Sequence, residues 1–184
     1  MILYRVFPRE RRAGEAEPGG PLWWPKGLQG GGRHDNPDLY ACIYASEAPV
    51  SPIAERLAPF RGTGDLQPEM LLSSGRPLAL ATLSLQDEAE LVDLDDPRSL
   101  VREQLRPSEV ATRERPITQA QAVRLYERHP DASGLRWWSS LESRWINVTL
   151  FDRSTTALAV EDVKTLDLDD EAVQDAAEFL GLTV

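Results

Sequence analysis

The stretch from Gly30 to Glu55, GGGRHDNPDLYACIYASEAPVSPIAE, constrains this chain more than any other, because it packs a triple glycine, an arginine, an aromatic strand and a helix start into consecutive segments. Glycines let the backbone take positive φ and approach a ligand closely. An arginine directly after them places a planar, permanently charged fork beside that opening, which favours an anion. Tyr40 and Tyr44 flank Cys42 and Ile43 in YACIYA, which reads as a buried or half-buried strand. Ser51 followed by Pro52 matches an N-cap and first helical position, with Val50, Ile53, Ala54 and Leu57 on one face. That register places Glu55 in the first turn or so of the helix, where the macrodipole favours a carboxylate.

The remaining segments alternate in type. Ile2 to Phe7 reads as an opening strand with Arg5 inside it, and Arg9 to Lys26 as a long loop, rich in glycine, proline and charge. Loops of that length in compact domains are usually functional or mobile. Trp23 and Trp24 within it suit pinning the loop to the core better than covering a ligand. Residues 78 to 85, LALATLSL, are the strongest strand signal, and Glu90 to Leu94 suggest a further short strand. Pro97 starts a helix through Gln104, and Thr118 caps another over Gln119–Arg128, stopped by Pro130. GLRWWSS, Gly134 to Ser140, reads as a strand end, and WINVTLF, residues 145 to 151, as another strand. ALAV and VKTLDL follow, and Asp169 or Asp170 caps a last helix closed by Gly181. This order predicts one α+β domain over residues 1–184, with mixed, largely antiparallel sheets and flanking helices.

GGGR, IYASE and PIAER, with LYRVF near the start and the later GLRWWSS, resemble the RES domain, named for an Arg, a Glu and a Ser. The resemblance runs from about Leu3 to about Asp152. It implies an ADP-ribosyltransferase-like fold and, as in several relatives, a toxin of a toxin–antitoxin pair that consumes NAD. NAD would be the substrate, and no separate cofactor is expected. On this basis Glu55, Arg33 and Tyr44 are the expected catalytic residues, and Arg33, Tyr44, Ser139, His34 and Arg5 the expected substrate contacts. Ser139 aligns with the family serine. Relatives place an aromatic and then an asparagine after the arginine; here His34 and Asp35 stand there, and Asp35 adds a negative charge beside the expected phosphate site.

Nicotinamide leaves as a neutral base, so breaking its bond to ribose calls mainly for stabilising positive charge on the sugar, a task for the Glu55 carboxylate. Arg33 would anchor a phosphate through two parallel hydrogen bonds, a geometry lysine cannot copy. Tyr44 would stack on nicotinamide or bind a ribose hydroxyl, and Ser139 would hold ribose or carboxamide. Neither His34 nor His129 sits where a Ser-His-Asp base would. Water, phosphate or a protein side chain as acceptor separates a hydrolase, a phosphorylase and a protein ADP-ribosyltransferase, and a non-catalytic binding module on the same scaffold is the further alternative.

With 184 residues, 41% hydrophobic, the chain suffices for one domain with a real core. One cysteine and two scattered histidines exclude an internal disulfide and a cysteine or histidine metal cluster. No apolar run approaches bilayer length and the charged start is no signal peptide, so a cytoplasmic protein is expected. A net charge of −10 argues against general nucleic-acid binding and repels a pyrophosphate, which local arginines must overcome. An acidic surface suits a basic protein partner, though solubility alone explains it equally well; the resemblance implies a helix-turn-helix antitoxin, and a homo-oligomer is a further possibility.

Overall fold

Alternating apolar and polar residues build the central strands of the computed structural model, which describes residues 1–184. The chain divides into two units, the first formed by Met1, Trp24–Ala45 and Leu85–Leu158, the second by Ile2–Trp23, Ser46–Ser84 and Ala159–Val184.

In the second unit β1 (Ile2–Pro8) runs antiparallel to β4 (Arg76–Leu85), in register from Ile2 opposite Ser84 to Pro8 opposite Leu78. A short β3 (Leu72–Ser73) turns back on β4, which β8 (Leu158–Thr165) also joins. Helices α1 (Val50–Leu57) and α5 (Glu171–Phe179) pack on one another. Ile53, Ala54 and Leu57 on α1 and Val173, Ala176 and Ala177 on α5 recur at three- and four-residue spacing, and all six are buried. Asp170 stands at the N-cap position of α5 as expected, but its carboxylate accepts from the Asp167 amide and Lys164 rather than from the helix.

The first unit contains β2 (Cys42–Ser46, whose last residue falls in the second unit), α2 (Pro97–Glu103), α3 (Pro107–Val110) and α4 (Arg115–Arg128). Its remaining strands are β5 (Leu91–Asp93), β6 (Gly134–Trp138) and β7 (Ile146–Phe151). The order is β2-β7-β6-β5; β6 and β7 are antiparallel, while β5 and β6 are parallel because α2, α3 and α4 cross between them. Tyr40, Leu94, Leu125, Leu135 and Phe151 fill the core. Arg153 closes α4: its guanidinium lies 3.5 Å from the Tyr126 ring centroid and donates to the Tyr126, His129 and Pro130 carbonyls.

The structure shows the α+β class and the mostly antiparallel pairing expected from sequence. Three local differences matter. Helix α1 starts at Val50 with Pro49 as N-cap, so Ser51 is its second residue and Glu55 its sixth, in the last turn rather than the first. Pro49 itself has helical angles, which lets the chain turn into the helix before the serine. Helix α4 starts at Arg115, and Thr118 lies inside it because Pro116 already supplies the first turn. Helix α3, with Pro107 at its start, had no sustained period to announce it. No helix is long and apolar enough to cross a membrane.

Candidate functional site

The glycine run is shaped by the carboxylate of Asp35, which is 6% exposed. Its Oδ2 accepts from the Gly30 and Gly32 amides at 2.9 and 2.6 Å, and its Oδ1 from the Tyr44 hydroxyl at 2.6 Å. From the other side the Gln119 amide on α4 donates to the Gly30 and Gly32 carbonyls at 3.0 and 2.9 Å. Gly30 has φ +145°, which favours glycine. Gly32 is required for a different reason: a Cβ there would run into Asp35 Oδ1 and the Tyr44 hydroxyl.

This loop delivers Arg33 inward. Arg33 is 5% exposed, and its guanidinium lies 4.7 Å from the Trp137 ring centroid. Nη1 donates to the Val110 and Thr112 carbonyls at 2.9 and 2.7 Å, tying the end of α3 to the loop, while the Thr118 hydroxyl donates to the Arg33 carbonyl at 2.6 Å. A buried cation flanked by an indole face and two carbonyls is rigid, since its orientation is fixed on three sides.

His34 is equally enclosed. Its Nδ1 is 2.8 Å from Thr149 Oγ1 on β7, and that oxygen also accepts from Trp137 Nε1 at 3.0 Å. Because an indole only donates, a His34 tautomer with its proton on Nε2 satisfies all three groups. The ring stacks toward Tyr44 and meets Trp137 edge-on, with centroids 6.5 and 5.2 Å away. Burial first, and then the Arg33 charge, push the His34 pKa down to about 3, so the imidazole is neutral at physiological pH. Burial pushes the Asp35 carboxyl up, but the bonds from Tyr44, Gly30, Gly32 and Cys42 outweigh it and hold the group below its ordinary value. The Tyr44 hydroxyl donates to Asp35 and accepts from the His34 amide at 2.9 Å; burial raises its pKa.

The structure thus brings Arg33, His34 and Tyr44 into one cluster. Ser139 follows β6, two residues past Trp137, and its hydroxyl accepts from the Leu141 amide at 3.1 Å in the turn toward β7. The other two expected residues belong to the second unit. Arg5 on β1 is buried and donates to the Pro21 and Trp23 carbonyls, so it ties down the Arg9–Lys26 loop. Glu55 is exposed on α1. The loop that Arg5 holds borders a cavity of about 150 Å³ lined in part by Arg9, Glu10 and Pro21.

Sequence reasoning missed Asp35 as a builder of the cluster, along with Trp137, Thr149 and Gln119. The aspartate and the glycines were visible, but the local turn an aspartate usually makes is to amides that follow it, whereas Asp35 accepts from Gly30 and Gly32 before it. Thr149 and Gln119 carry no such local sign, since strand pairing and α4 deliver them from far along the chain.

Residues 2–171 match the family model of the RES domain. The chain belongs to the RES domain family. Comparison with curated proteins gives no match. Among solved structures the chain resembles one described as the crystal structure of the M. tuberculosis MbcT-MbcA toxin-antitoxin complex, with a TM-score of 0.64 and 16% sequence identity over 98% of this chain and 87% of that one. At that identity the likeness is one of fold.

Proposed function

We propose that this chain is an NAD-consuming toxin, which cleaves the nicotinamide–ribose bond by hydrolysis or phosphorolysis and is restrained by an antitoxin. The observation that carries the reading is the rigid cation Arg33, presented behind the glycine loop of a RES domain. A guanidinium already oriented by Val110, Thr112 and Trp137 loses little freedom on engaging a phosphate. The fold shared with a structure of a toxin–antitoxin complex supports the toxin and partner parts of the reading.

In this reading Arg33 anchors the phosphates and the Tyr44 ring stacks on nicotinamide, its hydroxyl being engaged with Asp35 and the His34 amide. Glu55 is the carboxylate proposed to stabilise charge on the ribose and Ser139 a proposed substrate contact, while Arg5, engaged with the Pro21 and Trp23 carbonyls, serves by holding the Arg9–Lys26 loop. Neutral His34 shapes the wall as an aromatic rather than acting as an acid. The protein is cytoplasmic, where NAD is found, and its antitoxin carries a helix-turn-helix domain.

The test is incubation of the purified chain with NAD and analysis of products. Free ADP-ribose identifies hydrolysis, ADP-ribose 1″-phosphate phosphorolysis, and labelled protein an ADP-ribosyltransferase. Arg33→Lys is expected to weaken NAD binding by about 1.5–3 kcal/mol, and unchanged affinity in calorimetry removes Arg33 from the site. Glu55→Gln is expected to raise the barrier by about 2.7–4 kcal/mol with little loss of affinity. A non-catalytic binding module is the second reading, favoured by one observation: Arg33 Nη1, His34 Nδ1 and the Tyr44 hydroxyl all have partners within the protein. No NAD turnover, with growth unaffected at high expression, selects it.

A further inference from the structure

Residues 96–128 hold seven arginines against five carboxylates, whereas the rest of the chain holds 13 basic residues against 25 acidic ones. Within this basic stretch the arginines are not evenly spread. Glu103, the last residue of α2, has a side chain with 0% exposure. Arg102 Nε lies 3.0 Å from its Oε1 and Arg128 Nη1 3.5 Å from its Oε2, while Arg124 Nη2 donates to its carbonyl at 2.9 Å. His129 Nε2 is a further 3.1 Å from Oε1.

One carboxylate balances one guanidinium. Two guanidiniums at the carboxylate and a third on the carbonyl of the same residue set three positive charges against one negative charge, an arrangement that costs free energy until an anion offsets it. Neutralising Glu103 and capping the C-terminus of α2 require no more than two of the three. The inner nitrogens are fixed by Glu103 and, for Arg102 Nη2, by Ser99 Oγ at 3.1 Å. The side chains of Arg102 and Arg128 remain 62% and 51% exposed, so their outer N–H groups face water. Inside the cluster, Glu103 Oε2 faces Arg128 Nη1 and Oε1 faces His129 Nε2, so the carboxylate is enclosed by its own partners.

We propose that Arg102, Arg124 and Arg128, assembled on Glu103, form a binding site for a phosphate-class oxyanion. A phosphate offers acceptor oxygens in several directions and so engages several guanidinium forks at once, which a planar carboxylate does not. A nucleic-acid duplex is a poor occupant, because a chain of net charge −10 repels the long phosphate run on either side of any single contact. The site stands on its own, independent of any NAD chemistry at Arg33.

Thermal unfolding of the full chain in inorganic phosphate, against chloride at matched ionic strength, tests the site. At ten times the dissociation constant the wild type is expected to gain about 3–6 °C. Arg124→Gln combined with Arg128→Gln should abolish that gain and, in chloride at low ionic strength, unfold at or above the wild-type temperature, since crowding of charge is relieved. Parallel arms with pyrophosphate and 5′-AMP identify the source: equal gains indicate the phosphoryl group alone, and a larger gain with AMP a nucleotide phosphate. Equal gains in wild type and double variant, or none in either, overturn the proposal. Should the double variant not fold, Arg128→Lys keeps the charge but loses the fork, and an unchanged phosphate response in that variant overturns it as well.

Discussion

Asp35 and Glu103 are both buried carboxylates of the first unit, yet they are kept ionised by different means. Asp35 is held by aligned donors without full charge: two glycine amides, the Tyr44 hydroxyl and, at 3.5 Å, the Cys42 thiol. Glu103 is held by cations whose outer parts lie in water. In each case burial pushes the carboxyl up and the partners outweigh it, so both sit below their ordinary values. Hydrogen bonds of the first kind depend on geometry and little on salt, whereas charges at the surface are screened and can rehydrate when a partner is lost. Asp35 therefore defines a shape, and Glu103 a concentration of charge.

The sharpest way to break this comparison is to remove each carboxylate. Asp35→Ala leaves two amides and a hydroxyl without their acceptor, and is expected to cost about 3 kcal/mol, because charge-assisted bonds are worth roughly 1.5–3 kcal/mol each and the loop relaxes only in part. Glu103→Gln keeps the volume while the arginines turn to water, so about 1 kcal/mol is expected. Denaturant unfolding of both variants decides it. Equal losses, or a larger one at Glu103, would show that the surrounding charge organises its region as strongly as hydrogen bonding organises the loop.

A smaller effect isolates shape alone. Gly32→Ala leaves every charge in place but drives a methyl against Asp35 Oδ1 and the Tyr44 hydroxyl. Neither oxygen can swing away without giving up its bonds, so about 2 kcal/mol of overpacking is expected. Gly31→Ala is the control, since a Cβ there meets nothing within 4 Å. If the two variants unfold at the same denaturant concentration, the close approach at Gly32 is not what fixes the loop.

Much of the fold was legible in the sequence. The strands around Ile2–Phe7, residues 78–85 and residues 145–151 announce themselves by apolar patterning, and α5 by its spacing and by Asp170 at its N-cap position. The RES resemblance, resting on GGGR, IYASE and GLRWWSS, is upheld by the family match. Helix starts were less legible: Ser51 looked like a cap, but Pro49 had already entered the helix, which carries Glu55 away from the positive end of the dipole. The role of Asp35 was legible only in sign. Its negative charge was evident, but the amides that absorb it depend on a loop clamped by Gln119, 84 positions away. The Glu103 cluster was invisible for the same reason, since α2 and α4 supply its members and no local period joins them.

The smallest effect separates the two regions by pH. Asp35 and Glu103 are held below ordinary values of 3.8 and 4.5, so what they contribute is lost only as the pH falls below those values. His34, on the Asp35 side, acts earlier. Its pKa is about 3 in the folded protein against 6.5 when exposed, so between those limits the unfolded chain binds a proton that the folded chain does not. Stability from the neutral, buried ring is complete above pH 6.5 and declines steadily toward pH 3. From pH 7 to 5.5 the wild type should lose about 1 kcal/mol from this group, before either carboxylate titrates. His34→Gln retains a group able to bond Thr149 while removing the titration, so its stability curve should be flatter over that interval whatever its absolute level. Parallel curves for wild type and variant would mean that His34 reaches solvent and takes its proton in the folded state, and the enclosure by Trp137, Tyr44 and Thr149 would have to open to allow it.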